Sequence, residues 1–586
     1  MMKKFITLFN IILLLLSLFT AFRLKAQDLT SDDPASSLKA DTEVSPREEV
    51  YLQIDRDKYI AGEDIWFSIY SIDGESGKLS ARSSVAYVEL LNPWNMPVIQ
   101  ARFQLSGGRG EGNILLPDSI SPGTYTVRAY TNWMKNFLPD NCYMHDINIY
   151  NPFKSSDFWQ KADSAGSSDI RLVNSPDKNK STINFKADTI YGRRQKVSLK
   201  IRIRNNNEDQ PGISEMSVSV TPEDVSASCQ WINDYMIPGK DLKQYRFESD
   251  GHFLSGRIKY RESNVSDSSD FLYLSIQGKV AEFRYAVIDT AGRFTFLLPL
   301  DSKFRNLILQ PDHANNNMIL EIEPSFSWKL PVSNCFKYTL TDSQLDVFLR
   351  LSFNYQAGKI YGTRSKKAPV IDEKRNFQKR RFYGIPEMEI FLDDYISLPV
   401  MQEVFFELVP GVLLRSIKSG YDVKIVNPLT GSYYPEPPLV MIDGVIINDL
   451  TVLADLNPEI VEKIEVVKTP YLIGDLILHG IVNVITRSGD FSNITMPDYA
   501  VVLPYRVIDK PDTFIAPDYA DRLNSLSRIP DVRNTLYWNP SVKTDRNGEA
   551  ETEFWTSDLP GVYSVNVQGI SAHGEKISLY KTFMVK

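Results

Sequence analysis

At 586 residues and a formal net charge of −8, the chain is too long for one compact globule and too acidic for the broad basic face that nucleic-acid binding needs. Its composition, 43% hydrophobic and 24% charged, is that of folded protein, and 29 Tyr, 30 Phe and 33 Pro favour strands and turns over helix. Cys142, Cys229 and Cys335 are odd in number and far apart, so at most one disulfide can form, and all three read as core or near-core residues.

Lys3 and Lys4 precede an apolar run from Phe5 to Phe22, and Ala26 stands just before Gln27, the pattern of a cleavable export signal over residues 1–26. Thr7, Asn10, Ser17 and Thr20 interrupt the run, which favours cleavage over a membrane anchor, and no cysteine lies at the cleavage point to carry a lipid. No second apolar run approaches the roughly 18 residues a spanning helix needs. The expected mature chain is soluble or peripheral. Residues 27–46, rich in Ser, Asp, Pro and Thr, read as a mobile leader.

Order is expected from about Glu48. Val50–Ile54 and Ile65–Ile69 alternate between two faces around a turn-rich stretch, Val85–Leu91 adds a strand, and Pro122-Gly123 launches another through Tyr130. This spacing predicts a β-sandwich over 47–152. Pro560-Gly561-Val562-Tyr563-Ser564-Val565 repeats the Pro, Gly, Tyr and Val spacing of Pro122-Gly123-Thr124-Tyr125-Thr126-Val127, which suggests related modules. Val197, Leu199, Ile201 and Ile203, then Met216, Val218 and Val220, predict a second sandwich over 180–250.

Strands at 255–259, 271–276 and 283–288, with a turn at Asp289–Gly292, make residues 251–330 a third β unit. Residues 331–385 hold a helix, signalled by Leu345, Phe348 and Leu349 after Thr341-Asp342-Ser343, and a basic linker at 361–381. A second helix is expected over Val400–Leu408, following Pro399. The linker carries Arg364, Lys366, Lys367, Lys374, Arg375, Lys379, Arg380 and Arg381, a candidate contact for lipid phosphates or an acidic partner.

The stretch Gln53-Ile54-Asp55-Arg56-Asp57-Lys58-Tyr59-Ile60-Ala61-Gly62-Glu63-Asp64-Ile65-Trp66-Phe67 resembles the opening of a macroglobulin-like domain of the alpha-2-macroglobulin superfamily. Asp188, Tyr191 and Gly192 look like a degenerate second copy, and Thr535–Pro540 with Thr544–Gly548 and Thr556–Gly561 like a C-terminal one over 525–586. The resemblance implies seven-stranded sandwiches. Protease-trapping members carry a Cys-Gly-Glu-Gln thioester; here Cys229 precedes Gln230-Trp231 and Cys335 precedes Phe336, so that chemistry is not encoded.

Residues 251–330 resemble a carboxypeptidase-regulatory-like domain. Leu439–Asp449, Ile460–Lys468 and Gly480–Gly489 are similar, in order, to three segments of a TonB-dependent receptor plug, which implies a small α+β domain over 386–492. Asp443-Gly444 is read as its hairpin turn, and Ile464–Val467 and Val482–Ile485 as buried strands. The residues after Gly489 are too few for the roughly 22-stranded barrel of an outer-membrane transporter.

His145, His252, His313, His479 and His573 are scattered without metal-ligand spacing, and no cofactor or metal is expected. Gly107–Gly112 lacks the Lys-Ser/Thr ending of a phosphate loop and reads as a flexible strand connection; Asp545-Arg546-Asn547-Gly548 reads as a hairpin turn instead of a calcium loop. Asp393-Asp394 has no context for acid–base work. The expected protein is mainly β, with tandem immunoglobulin- or macroglobulin-like sandwiches, a plug-like α+β domain and no barrel.

The expected role is a non-enzymatic scaffold in the periplasm or at the outer-membrane surface. Its expected partners are other envelope proteins, a barrel protein among them, and no nucleic acid. Two further readings follow from the resemblances: an accessory of TonB-linked nutrient uptake, and a secreted protease inhibitor without a thioester.

Overall fold

The computed structural model describes residues 46–139, 141–154, 159–161, 182–185, 189–203, 213–227, 244–260, 271–303, 305–312, 318–331, 338–361, 381–491, 496–521, 525–571 and 573–586. The expected export signal and leader, Cys229, Cys335, His313 and every basic linker residue before Arg381 lie outside them. The described chain is mainly β, built from several open sheets with no closed barrel among the described residues.

In the first sandwich, Glu48–Ile54, Asp64–Asp73 and Arg109–Leu115 form one sheet. Lys58–Ile60, Tyr143–Tyr150, Gly123–Thr131, Val85–Leu91 and Pro97–Gln104 form the other. Period-two alternation turns Val50, Leu52, Ile65, Phe67 and Ile69 inward, where they meet Val88, Val127 and Ile147 in one core. Gly107 and Gly108 form the tight connection that carries the chain from one sheet to the other.

The Pro-Gly-x-Tyr echo has a physical basis. Tyr125 donates its hydroxyl to the Ser121 carbonyl at 2.7 Å, and Tyr563 to the Leu559 carbonyl at 3.0 Å, each four residues back. Both are tyrosine corners, in which the phenol fastens the turn that enters its strand. Burial pushes the Tyr125 phenol up to about 12, so it stays a donor across the ordinary pH range. Tyr125→Phe and Tyr563→Phe are each expected to lower stability by about 1 kcal/mol in urea unfolding, and no loss at either position would show the corner to be decorative.

The sequence reads 180–250 and 525–586 as two sandwiches; the sheets join them into one. Lys196–Arg202 lies between Thr182–Phe185 and Glu549–Trp555, and Glu215–Pro222 between Gly561–Ile570 and Tyr537–Lys543. Lys576–Val585 pairs along Gly561–Ile570 and meets Ile190–Tyr191 at its end. Val197, Leu199, Val218 and Val220 share a core with Val565, Val567 and Phe583. Neither segment has strands enough to cover its own apolar face, so each completes the other. Asp545 turns the hairpin at Gly548, its carboxylate accepting Asn547 and Glu549 N–H, both at 2.9 Å.

The third sandwich places Arg293–Leu298, His252–Tyr260 and Met318–Ile322 over a second sheet of Glu282–Val287, Phe271–Ile276 and Arg305–Pro311. Its last strand, Val501–Tyr505, comes from beyond the α+β module and pairs with Arg305–Leu309.

The module's sheet runs Met388–Phe391, Val461–Val467, Ile481–Thr486, Leu439–Ile442, Val445–Ile446. One face is covered by the helix Met401–Leu408 and the hairpin Val412–Ile417/Gly420–Ile425. The other, through Leu439, Met441 and Ile481, packs on Tyr273 and Phe283 of the third sandwich. The chain is thus nested: the module is inserted in the third sandwich, and the third sandwich in the second.

Asp443 and Gly444 turn the module's hairpin at φ +48° and +76°, as a two-residue turn of this hand requires. Asp443 is fully buried; its carboxylate accepts Thr486 N–H at 2.7 Å, Thr486 hydroxyl at 2.6 Å and Phe491 N–H at 3.0 Å. A Cβ on Gly444 would meet Ala281 Cα at 3.2 Å and the Gly278 and Ile276 carbonyls at 3.3 Å. Gly444→Ala should therefore cost about 1–2 kcal/mol through the left-handed backbone alone, with a further loss from the tight docking, measurable as a lowered urea midpoint; an unchanged midpoint would refute the close approach.

Helix α1, Asp342–Tyr361, starts on a capping box: Gln344 N–H reaches Thr341 Oγ1 at 3.3 Å, and Thr341 N–H reaches Gln344 Oε1 at 3.0 Å. It buries Phe348 and Leu351 against Ile60 and Val225. No helix among the described residues is long and apolar enough to cross a membrane.

Candidate functional site

Of the basic linker residues, the structure places only Arg381. Its guanidinium lies 2.6 Å from Glu389 and 2.6 Å from the fully buried Glu465, so it closes an ion-pair group on the module's sheet. Glu389 and Glu465 face each other across neighbouring strands, and Lys463 reaches both, which keeps the like charges from meeting unscreened. Arg381 is thereby committed within the chain.

A cleft lies where the first sandwich, α1 and the second sandwich meet. Asp55 follows the first strand and is fully buried; Oδ1 accepts the Tyr59 hydroxyl at 2.6 Å and Trp66 N–H at 3.0 Å, and Oδ2 the Thr535 hydroxyl at 2.6 Å. Burial pushes the Asp55 carboxyl above its ordinary range, while Arg56 and these hydrogen bonds pull it back. Arg56 pairs with Glu63 at 3.0 Å, Glu63 accepts Asn534 at 2.7 Å, and Asn354 of α1 donates to Asn534 at 2.9 Å.

Beside this knot opens a cleft of about 350 Å3, with Trp66 and Leu115 from the first sandwich, Tyr355 and Gly358 from α1, and Phe514 and Arg533 from the returning chain among its walls. Phe514 meets Trp66 edge to face at 5.5 Å, and Asn113 ties Asp64 at 2.9 Å to Asp512 at 3.1 Å. Arg533 is held by Asp531 at 2.8 Å and by the Leu536 and Trp555 carbonyls. The cleft offers aromatic edges and backbone groups bounded by charges that already have partners, a setting for shape-selective contact.

A second charged cluster has the composition of a proton relay but is closed to solvent. Glu248 and His252 are both fully buried, 2.8 Å apart, between Tyr87, Arg102 and Lys135 of the first sandwich and Tyr505 of the returning strand. Burial lowers Lys135 to about 8. Among the described residues, no group of three His, Cys, Asp or Glu is placed to hold a metal ion.

No protein-family model matches the chain, and no curated protein matches it. Among solved structures, trypsin-activated alpha-2-macroglobulin of Escherichia coli aligns at 9% identity over 92% of this chain and 41% of that one, TM-score 0.23. Salmonella alpha-2-macroglobulin reacted with methylamine aligns at 10% identity over 92% and 39%, TM-score 0.24. The Yersinia pseudotuberculosis adhesin InvE aligns at 10% over 47% and 57%, TM-score 0.12. The chain spans about two fifths of the length of the alpha-2-macroglobulins it matches. At these TM-scores the likeness carries no argument about activity.

The sequence pattern quoted Asp55, Arg56 and Glu63 for a resemblance and missed their role as a joint. The available signal was three charges bracketing a hairpin between strongly apolar strands. It read the histidines only for metal-ligand spacing, which does not show that His145 lies 2.7 Å from Asp57 and His252 against Glu248. Although burial works against it, Asp57 holds the His145 ring above its ordinary value.

Proposed function

We propose that this chain is a non-catalytic interaction scaffold of the cell envelope, exported to the periplasm or outer-membrane surface and working as a subunit of a larger protein complex. The observation that carries this reading is the use made of its charged clusters. Asp55–Arg56–Glu63 and Glu248–His252–Arg102 hold modules together, with their polar atoms turned to one another. Nesting fixes the third sandwich and the α+β module in place, because each is entered and left through strands of the unit around it. The three-walled cleft would give a partner protein a surface that no single module possesses.

The test is to isolate the tagged full chain from gently solubilised membranes of its native cell and identify what accompanies it by mass spectrometry. Stoichiometric recovery with an envelope protein supports the scaffold, and recovery with a separately encoded barrel would assign it to nutrient uptake. Recovery alone in the soluble fraction overturns the proposal.

A further inference from the structure

We propose that His252 is the keystone of an acid-releasable joint between the first and third sandwiches: a proton taken up on Nε2 undocks these two modules, while the first sandwich stays docked on the second.

His252 opens the strand His252–Tyr260 and is fully buried. Charged and titratable groups face it from every side. Glu248 Oε1, on its own lead-in, lies 2.8 Å from Nδ1. From the first sandwich, Arg102 Nη1 lies 3.0 Å from Nε2, the Tyr87 hydroxyl is 2.9 Å from Glu248 Oε2, and Lys135 Nζ sits 4.1 Å over the Tyr87 ring. From the returning strand, the Tyr505 hydroxyl is 2.5 Å from Nε2. Arg102 also donates to the Arg506 carbonyl, and its backbone N–H donates to Asp509 at 3.0 Å.

These neighbours fix the tautomer. An ionised carboxylate only accepts and a guanidinium only donates, so Nδ1 carries the proton and Nε2 is bare. A second proton would point from Nε2 at the Arg102 N–H group and remove the acceptor that Arg102 and Tyr505 use. It would also set an imidazolium among two cations, Arg102 and Lys135, against the one carboxylate of Glu248, in a site closed to water. Burial, together with Arg102 and Lys135, holds the ring below its ordinary proton affinity against the pull of Glu248.

The sign follows. Below about pH 6.5 the undocked imidazole binds a proton that the docked one does not, so docking weakens as pH falls, the open-to-closed ratio rising about tenfold per unit. His145, whose proton affinity Asp57 raises against burial, has the opposite sign. Much of the contact between the first and second sandwiches is neutral: Tyr70 meets Ser217 at 2.7 Å, Tyr51 donates to Gln568 at 2.5 Å, and Ser219 to the Asp55 carbonyl at 2.8 Å, beside the buried Asp55 and Glu63 carboxylates that Arg56 backs.

Hydrogen exchange of the full chain at about pH 7.5 and about pH 5, corrected for intrinsic exchange rates, tests the proposal. Segments 84–105, 244–256 and 501–509 are expected to lose protection in acid on the order of tenfold per unit, while 214–222 and 561–570 keep theirs. His252→Gln, which cannot take the proton, should abolish the acid step. Imidazole nitrogen NMR of the wild-type chain is a readout independent of that variant's folding: a bare Nε2 at neutral pH should vanish with the midpoint at which protection is lost. Equal protection at both pH values, an acid step that survives in His252→Gln, or a protonated Nε2 at neutral pH would each overturn the joint.

Discussion

Truncation after residue 491 is expected to leave Thr182–Phe185, Lys196–Arg202 and Glu215–Pro222 without a fold, although none of them is removed. Glu215–Pro222 would lose both ladder neighbours, Gly561–Ile570 and Tyr537–Lys543, and Lys196–Arg202 would lose Glu549–Trp555. Val197, Leu199, Ile201, Met216, Val218 and Val220, all buried in the whole chain, would face water, at about 1.5–3 kcal/mol for each side chain. The α+β module, whose sheet lies entirely between Met388 and Thr486, should persist. Limited proteolysis read by mass spectrometry checks this: cleavage should move into 182–227 while 388–486 resists. Resistance at 182–222 would mean that the two-segment sandwich is not the folding unit.

Asp55→Ala should be the most damaging single change, at about 3–5 kcal/mol. It leaves the Tyr59 and Thr535 hydroxyls and Trp66 N–H without their acceptor in a buried site, and Arg56 with Glu63 as its one remaining carboxylate. Asp55→Asn, which keeps an acceptor for Tyr59 and Trp66 but turns a donor toward Arg56 and Thr535, should fall between that variant and wild type. Urea unfolding followed by tryptophan fluorescence reports both, and an alanine loss below about 1 kcal/mol would remove Asp55 from the joint.

What could be read from the sequence was what local physics writes into it. The alternations at Val50–Ile54, Ile65–Ile69 and Met216–Val220, the helix start at Thr341-Asp342-Ser343 and the Asp443-Gly444 turn each specify geometry within a few residues, and each lies where the pattern put it. The partner of a strand is not written locally. Glu215 pairs with Ile570, and nothing in the alternation of either segment distinguishes that partner from a nearer one. The outward residues Ser217, Ser219 and Asn566 carry the small, polar character of a solvent face, yet they are buried against Gln53 and Asp55 of the first sandwich. Such residues suit water and a hydrogen-bonding neighbour equally.

The joints were harder still to see, because their members come from distant parts of the chain. Asp55 needs Thr535, and Arg102 needs His252 and Tyr505. A run of basic residues, by contrast, is conspicuous in one dimension. Its one described member, Arg381, is held by carboxylates brought to it only by the module's sheet register.

The nested path of the chain also sets a timetable. The strands that end at Pro222 cannot close their sandwich until Tyr537–Val585 has been made, a delay of about 20–70 s at ordinary synthesis rates. The innermost module can mature first, the unit around it next, and the outer sandwich last. Until then, half-built sheets present open, apolar edges of the kind that cross-pair between chains. A cell producing this protein has to shelter those edges for as long as the last strands take to arrive.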